Sequence, residues 1–266
     1  MQAESPVEPA TNTLRDEIRD YWDKRSATYS ASVLRELGGP LHEAWAARFR
    51  KEVPELGTCD LRAADMGCGP GFFSILMAEA GCMVDAVDGS PEMLGHARSN
   101  VEACGLGGRV TFHQGDVCAS GLASGSYDLI AMRDLTWTML DPLGAYREWH
   151  HLLAPGGRLL VFDSNWYRYL VDPRVRRQRE ADQRDRRTLQ KGDDSRSSEQ
   201  QEARCEAIAR DLPLTGELRP AWDERVLGDI GFSHVEVCAD VWRELWTPGE
   251  QRYYASSPMF LVVATK

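Results

Sequence analysis

Residues 64–72 read ADMGCGPGF, and this stretch decides the fold. A short apolar segment at residues 61–66 leads into it, and an apolar helical pattern follows it directly. Its glycines allow the backbone to turn tightly and to approach a ligand closely. A strand, a glycine-rich turn and a helix in this order are typical of the first unit of a nucleotide-binding α/β sheet. The glycines concerned are Gly67, Gly69 and Gly71.

The composition of this turn favours one class of cofactor. Dinucleotide binding requires Gly-x-Gly-x-x-Gly, and Phe72 stands at the third glycine position. Asp65, just before the turn, would repel a pyrophosphate but suits a ligand with a cationic amino-acid end. S-adenosylmethionine carries an ammonium, a sulfonium and no phosphate, so we expect this cofactor and not NAD. Cys68 is interpreted as a small residue that fills the turn and not as a nucleophile.

A second segment, residues 87–94 (VDGSPEML), closes the next strand about twenty residues later. Asp88 at the tip of that strand is placed to accept hydrogen bonds from both hydroxyls of a ribose. The alternative is a helix start, with Ser90 as N-cap and Pro91 at the first position, and one segment can serve both roles. Met93 is expected to pack on the adenine. The predicted cofactor contacts of this segment are Asp88, Gly89, Ser90 and Met93.

A third segment, residues 115–117 (GDV), follows the third strand. Asp116 is placed to accept from the adenine amino group while the Val117 amide reaches a ring nitrogen. A loop aspartate can equally be a turn residue, and this alternative stays open. The predicted adenine contacts are Gly115, Asp116 and Val117.

Strands and helices alternate from residue 61 to residue 163, which predicts a mainly parallel sheet covered on both faces. Two β-branched runs at 235–241 and 260–265 are too close for a helical crossover, so we expect an antiparallel pair. After a loose tail at residues 1–13, four parts are expected. They are an N-terminal helical cap segment (1–56), the cofactor-binding core (57–166), a helical insertion (167–219) and the rest of the sheet (220–266).

The composition excludes several classes of function. A formal net charge of -10 over 266 residues argues against a nucleic-acid partner, which would need a basic surface. No apolar run is long enough to span a membrane and no signal-peptide core is present, so we expect a cytoplasmic protein without a membrane partner. The 7 cysteines show no Cys-x-x-Cys spacing, which indicates reduced thiols and no metal site.

In series, these three segments resemble motif I, the acidic loop and the adenine loop of class I methyltransferases. Residues 127–130 (YDLI) and 152–159 (LLAPGGRL) match that family's fourth strand and the turn into its fifth. The chain is most similar to the ubiquinone/menaquinone-biosynthesis-like, or type 11, methyltransferases, because residues 21–29 (YWDKRSATY) resemble the helix before their core. The resemblance implies a Rossmann-like three-layer sandwich with seven strands, the last one antiparallel, plus a helical cap. Further cofactor contacts carried over by resemblance are Tyr21, Tyr29 and Arg133.

The acceptor is expected beyond the carboxyl ends of the strands, where aromatic residues accumulate on loops. Asp134 stands where the related sequences lead one to expect asparagine, which leaves a general-base role open. The candidate bases are Asp134, Asp163 and Tyr167. The candidate acceptor contacts are Trp137, Asn165, Trp166 and Tyr254.

These features predict S-adenosylmethionine-dependent methyl transfer to a small molecule by in-line displacement. An NAD-linked oxidoreductase, a protein or RNA methyltransferase and a non-catalytic binding module are the alternatives.

The insertion at residues 167–214 is rich in interleaved charges and poor in large apolar residues. We expect a mobile lid there, with a fixed decoration or a homodimer contact as the alternative and a linker near residues 192–198.

Overall fold

The computed structural model describes residues 8–58, 60–189 and 199–266. The expected linker at 192–198 lies outside the described residues, as does the first half of the expected tail. Residues 8–13 of that tail form the start of a long helix instead. The helices are α1 Glu8–Leu37, α2 His42–Glu52, α3 Phe72–Glu79, α4 Pro91–Ala103, α5 Pro142–Leu152, α6 Pro173–Leu189, α7 Glu199–Arg210, α8 Ala221–Ile230, α9 Trp242–Leu245 and α10 Pro248–Tyr253.

Seven strands form one sheet in the order β3-β2-β1-β4-β5-β7-β6. All neighbours are parallel except that β7 runs antiparallel to both β5 and β6. This confirms the predicted fold class. The strands are β1 Arg62–Met66, β2 Met83–Asp88, β3 Val110–Gln114, β4 Tyr127–Arg133, β5 Leu153–Asp163, β6 His234–Cys238 and β7 Phe260–Thr265.

The order of the strands by itself predicts where a ligand binds. From β1 the chain continues to β2 and β3 on one side, and it returns to β4 and β5 on the other. The strand order therefore reverses between β1 and β4. In open α/β sheets the crevice beyond the carboxyl ends of the strands at such a point binds the ligand.

Two apolar clusters on opposite faces hold the sheet between layers of helices. One contains Trp45, Phe49, Phe73 and Phe162, whose rings contact one another edge to face or stacked. The other contains Tyr146 and Trp149 of α5 together with residues from β4, β5 and α8. These clusters make the core of the three-layer sandwich.

The cap consists of α1, the described parts of the insertion and the loop after β4. Helix α1 packs on α4 and α7. A third apolar cluster joins Tyr21 of α1, Trp137 after β4, and Cys205 and Ile208 of α7. Motion of the insertion as a lid stays a prediction. Within the ranges given above, no helix combines the length and apolar character needed to cross a bilayer.

Candidate active site

One cavity of about 430 Å³ lies at the carboxyl ends of β1 to β4, under α1. All the predicted cofactor contacts except Tyr21 and Gly71 line it, and so does Asp134. The lining residues predicted from the sequence are Tyr29, Asp65, Gly67, Cys68, Gly69, Asp88, Gly89, Ser90, Met93, Gly115, Asp116, Val117, Arg133 and Asp134. Five separate sequence segments thus meet around a single space.

The glycine-rich turn forms the floor of this cavity between β1 and α3. Gly67 and Gly69 have φ angles of 66° and 50°, in the left-handed region that favours glycine. A Cβ on Gly67 would lie 2.5 Å from the Leu135 side chain, so the turn and the loop after β4 approach each other as closely as glycine permits. The Cys68 amide donates to the Val87 carbonyl at 3.0 Å, which ties the turn to β2.

Gly71 does not line the cavity, although we predicted a cofactor contact there. It precedes α3 with a φ of 92°, and a Cβ on it would lie 3.4 Å from the Cβ of Ala97 in α4. Its lack of a side chain therefore serves the packing of α3 against α4. This corrects the prediction: its neighbours Gly67 and Gly69 line the cavity, and Gly71 starts the helix.

Asp88 joins the acidic loop to the glycine-rich turn. One carboxylate oxygen accepts from the Gly69 amide and the other from the Ser90 amide, both at 2.8 Å. Burial raises the pKa of Asp88, against the lowering effect of the two amides. Ser90 also caps α4 by accepting from the Met93 amide at 3.0 Å, so the helix-start role is present in the structure. Each Asp88 oxygen keeps further acceptor capacity toward the cavity.

Asp65 lies in the same cavity and is 1% exposed. The Ser74 hydroxyl donates to its carboxylate at 2.6 Å. Burial raises the pKa of Asp65 to about 7, and the nearby charge of Asp88 adds to the effect. A cation bound beside Asp65 would compensate the buried carboxylate and bring the pKa down again.

Asp116 has partners for both carboxylate oxygens. One accepts from the Cys118 amide at 2.9 Å, as in a turn, and the other forms an ion pair with Arg15 of α1. Against the raising effect of burial, these two contacts lower the pKa of Asp116. The turn role left open by the sequence is therefore present, and α1 contacts the predicted adenine end of the cavity.

Arg133 and Tyr29 form the opposite wall. The two terminal nitrogens of Arg133 donate to the Glu36 carboxylate at 2.8 Å each, and its guanidinium lies 4.4 Å from the Phe72 ring centre. Tyr29 lies over the glycine-rich turn, since a Cβ on Gly69 would be 3.6 Å from its ring. Both residues therefore connect α1 to the floor of the cavity.

Tyr21 lies away from the cavity, in the apolar cluster of the cap, which corrects the prediction that it contacts the cofactor. The neighbouring Trp22 lines the cavity instead. Successive residues of a helix point about 100° apart, so a motif match that is off by one position selects the wrong face. The cavity-lining residues of α1 that we did not predict are Arg15, Ile18, Arg19, Trp22 and Val33. These residues recur on one face of the helix, and this periodicity could have identified the cavity-facing side of α1 from the sequence.

Asp134 directly follows β4 and has a left-handed conformation with a φ of 54°, which is uncommon for a residue other than glycine. Its side chain is 22% exposed, and one carboxylate oxygen accepts from the Trp166 indole at 3.1 Å. Burial raises the pKa of Asp134 to about 7, although Arg133 opposes the shift. Of the three candidate bases, this residue alone lines the cavity described here.

Asp163 is fully buried in a polar network and does not reach the cavity. Arg219 approaches its carboxylate at 2.8 Å and also pairs with Asp223 at 2.7 Å. The Thr136 hydroxyl and the Trp137 amide donate to the same Asp163 oxygen. This placement argues against a general-base role and corrects the prediction: Asp163 anchors the loop after β4 to the segment before α8.

The remaining candidates do not line the cavity. The Tyr167 hydroxyl donates to the Cys205 sulfur at 3.0 Å, and burial raises its pKa, which disfavours a role as base. Asn165 donates to the Arg219 carbonyl at 2.8 Å. Trp137 packs against Trp22 and Tyr167, while Tyr254 packs against Trp166 at 5.3 Å between ring centres. Trp166 does not line the cavity itself, but it donates a hydrogen bond to Asp134, which does.

Across the described ranges, no group of three His, Cys, Asp or Glu side chains is arranged to hold a metal ion. The carboxylates of the cavity instead accept from amides, hydroxyls, an indole and arginines. A metal-independent reaction stays a prediction.

The comparisons with known proteins agree with this geometry. Residues 64–161 match the model of a family described as "Methyltransferase domain". The ubiquinone biosynthesis O-methyltransferase of Xanthomonas oryzae pv. oryzae is 31% identical over 129 residues, which are 47% of this chain and 52% of that protein. The chain thus spans about half the length of the curated relatives it matches.

Two solved structures share the fold. A Methanococcus maripaludis protein, provisionally an S-adenosyl-L-methionine-dependent methyltransferase, gives a TM-score of 0.57 at 18% identity and covers 100% of this chain and 97% of its own. Haemonchus contortus phosphoethanolamine N-methyltransferase 2 in complex with S-adenosyl-L-methionine gives 0.62 at 17% identity, over 93% of this chain and 59% of that one. Together with the match at residues 64–161, they confirm the resemblance: this segment matches a methyltransferase-domain family, and the chain shares the fold of the two solved structures.

Proposed function

We propose that the protein transfers a methyl group from S-adenosylmethionine to a small-molecule acceptor. The observation that carries this proposal is the single cavity in which the glycine-rich turn, Asp65, Asp88 and the 115–117 loop meet. Its volume of about 430 Å³ is in the range of small-ligand sites.

The residues present fit this cofactor. Asp65 is a buried carboxylate whose ionised form would be stabilised by a cation such as the ammonium of an amino acid. Asp88 has acceptor capacity beyond the amides of Gly69 and Ser90, as a ribose diol requires. The close approach of Gly67 to Leu135 leaves a cradle that a side chain at position 67 would fill.

When bound, S-adenosylmethionine supplies a methyl group already activated by a cationic sulfur. The protein therefore needs to bind, to align and to exclude water. Helix α1 contributes Trp22 and Tyr29 to the lining, and the loop after β4 contributes Leu135. These apolar surfaces enclose the space between the glycine-rich turn and Asp134, where an acceptor would be aligned for in-line displacement.

The relatives support the small-molecule class of acceptor. The Xanthomonas relative is named for an O-methyl transfer in ubiquinone biosynthesis, and the Haemonchus structure is that of a phosphoethanolamine N-methyltransferase bound to S-adenosyl-L-methionine. A net charge of -10 gives no general attraction to RNA. Protein methylation and a non-catalytic binding role remain outcomes of the test.

Calorimetry tests the proposal. S-adenosylmethionine and S-adenosylhomocysteine should bind, and NADH should not. Asp88→Ala should weaken binding about tenfold or more, because two charge-assisted hydrogen bonds are lost. The matched control is Asp229→Ala, which removes the same charge from an exposed position on α8.

Unchanged affinity in Asp88→Ala would contradict the ribose assignment, and binding of NADH would contradict the choice of cofactor. Bound cofactor without turnover on any small-molecule acceptor would instead favour a macromolecular substrate or a binding module. Transfer of a radiolabelled methyl group to small molecules, separated from protein and RNA by filtration, distinguishes these cases.

A further inference from the structure

Asp134 combines features that the cofactor site does not require. It lines the cavity next to Leu135, which contacts the glycine-rich turn, so it lies at the end of the cavity that also holds Asp65 and Arg133. A φ of 54° holds it in the left-handed conformation, which is unfavourable for a residue with a Cβ. Backbone strain of this kind concentrates at functional sites.

The contacts of Asp134 leave one carboxylate oxygen available. Oδ1 accepts from the Trp166 indole at 3.1 Å, and this bond fixes the orientation of the carboxylate. Oδ2 has Arg133 Nε at 3.6 Å, which is longer than a hydrogen bond. An oriented carboxylate with one oxygen that accepts no hydrogen bond, at a cavity wall, is placed to accept a proton or a hydrogen bond from a ligand.

The charges around Asp134 indicate the sign of that ligand. The charged or titratable groups that face it are Arg133 of β4, Glu36 and Tyr29 of α1, and Asp163 of β5. Arg133 directs both terminal nitrogens to Glu36, and Asp163 is paired with Arg219. Asp134 is therefore the carboxylate of this group with the weakest compensation: its only arginine contact is the 3.6 Å approach of Arg133, whose terminal nitrogens are directed to Glu36.

We propose that Asp134 binds the methyl acceptor as the ammonium of an amine and accepts one of its protons. This inference deepens the proposed function and rests on it. The N–H bond breaks, the proton passes to Oδ2 of Asp134, and the electron pair stays on nitrogen, which becomes a neutral amine with a free lone pair. The substrate class is thus a small amine that carries at least one N–H bond when protonated.

Two further observations favour an ammonium over an alcohol or a phenol. The rings of Trp22, Tyr29 and Phe72 also line the cavity, and aromatic faces attract cations. Removal of a proton from an ammonium in contact with a carboxylate leaves two neutral groups. Removal of a proton from a hydroxyl leaves an anion near Glu36 and Asp163, which is unfavourable in a buried site.

The test uses two ligands that differ only at the position of the cofactor sulfur. Sinefungin carries an amine-bearing carbon where S-adenosylhomocysteine has a thioether sulfur. Calorimetry at pH 8 should show that the wild-type protein prefers sinefungin by about tenfold or more, as expected for a charge-assisted hydrogen bond. In Asp134→Asn the preference should fall below about twofold while the affinity for S-adenosylhomocysteine is kept. Asparagine tolerates the left-handed conformation and can still accept from Trp166, and Asp229→Asn is the charge control.

The pH dependence of the wild-type preference is a second readout. Between pH 8 and pH 5.5 the ligand amine stays protonated while Asp134, with a pKa of about 7, becomes neutral, so the preference should fall about tenfold. Asp65 also titrates in this interval, but it affects both ligands equally because they share the same amino-acid end. This readout decides the matter if Asp134→Asn does not fold.

Equal affinity of the two ligands for the wild-type protein at pH 8 overturns the proposal, as does a preference that persists at pH 5.5 or in Asp134→Asn. If neither ligand binds, the proposed function fails as well, so the two failures are distinguishable. A reaction product with its new methyl group on nitrogen supports the amine class, whereas one on oxygen or carbon overturns it.

Discussion

The floor of the cavity and its cap are held together in different ways. In the floor, contacts join segments that are close along the chain, such as the Gly69 amide and the Asp88 carboxylate, 19 residues apart. In the cap, Arg133 pairs with Glu36 across 97 residues and Asp163 with Arg219 across 56 residues. The floor is therefore a local property of one α/β unit, while the cap depends on long-range pairs that can vary without disturbing the floor.

The largest effect is expected where the cap is anchored. Asp163→Ala should lower the free energy of unfolding by about 3–5 kcal/mol, because it leaves the buried Arg219 with one carboxylate fewer. Asp229→Ala breaks the exposed pair with Arg225 and should cost less than about 0.5 kcal/mol. Urea denaturation of both variants measures the difference.

If Asp163→Ala were as stable as the wild-type protein, the anchoring role assigned to this pair would be wrong. A stable variant that binds cofactor normally but has lost all turnover would restore Asp163 as a candidate base.

An intermediate effect is expected in the floor. Gly67→Ala should weaken the binding of S-adenosylhomocysteine about tenfold to hundredfold, since a Cβ there would lie 2.5 Å from Leu135 and displace the loop after β4. Gly125 has a similar φ of 61°, but a Cβ on it would meet no atom within 4 Å. Gly125→Ala should therefore cost only about 1 kcal/mol of stability and leave the affinity unchanged. Equal losses of affinity in the two variants would assign the effect to backbone strain and not to contact with the cap.

The smallest effect is expected where α1 meets the adenine end. Arg15→Ala removes an ion pair with Asp116 whose side chains are 51% and 32% exposed. Exposed pairs contribute about 0–1 kcal/mol, so cofactor affinity should fall by no more than about fivefold and the difference should vanish at high salt. A larger, salt-independent loss would show that Arg15 contacts the ligand directly.

The sequence predicts the floor well because its signals are local. Strand, turn and helix alternate with short connections, and Asp65, Asp88 and Asp116 each lie at or beside a strand end, so all three line the cavity. The antiparallel β6–β7 pair was predicted as well, although the connection between the two strands contains the short helices α9 and α10, which the sequence did not indicate. No local pattern indicates that Arg219 would reach Asp163, since its position depends on how the insertion folds back. We predicted Tyr21 at the cavity and the structure places Trp22 there, for the same reason. The rotation of α1 about its own axis is set by its packing on α4 and α7, which the local sequence does not indicate.

Helix α1 belongs to both regions and couples them. Trp22 and Tyr29 cover the cofactor cavity, while Tyr21 of the same helix packs against Cys205 and Ile208 of α7. A ligand that immobilises one face of a helix also reduces the freedom of the other face, so the second ligand loses less entropy on binding. Cofactor and acceptor should therefore bind cooperatively, each raising the equilibrium affinity for the other by the same factor.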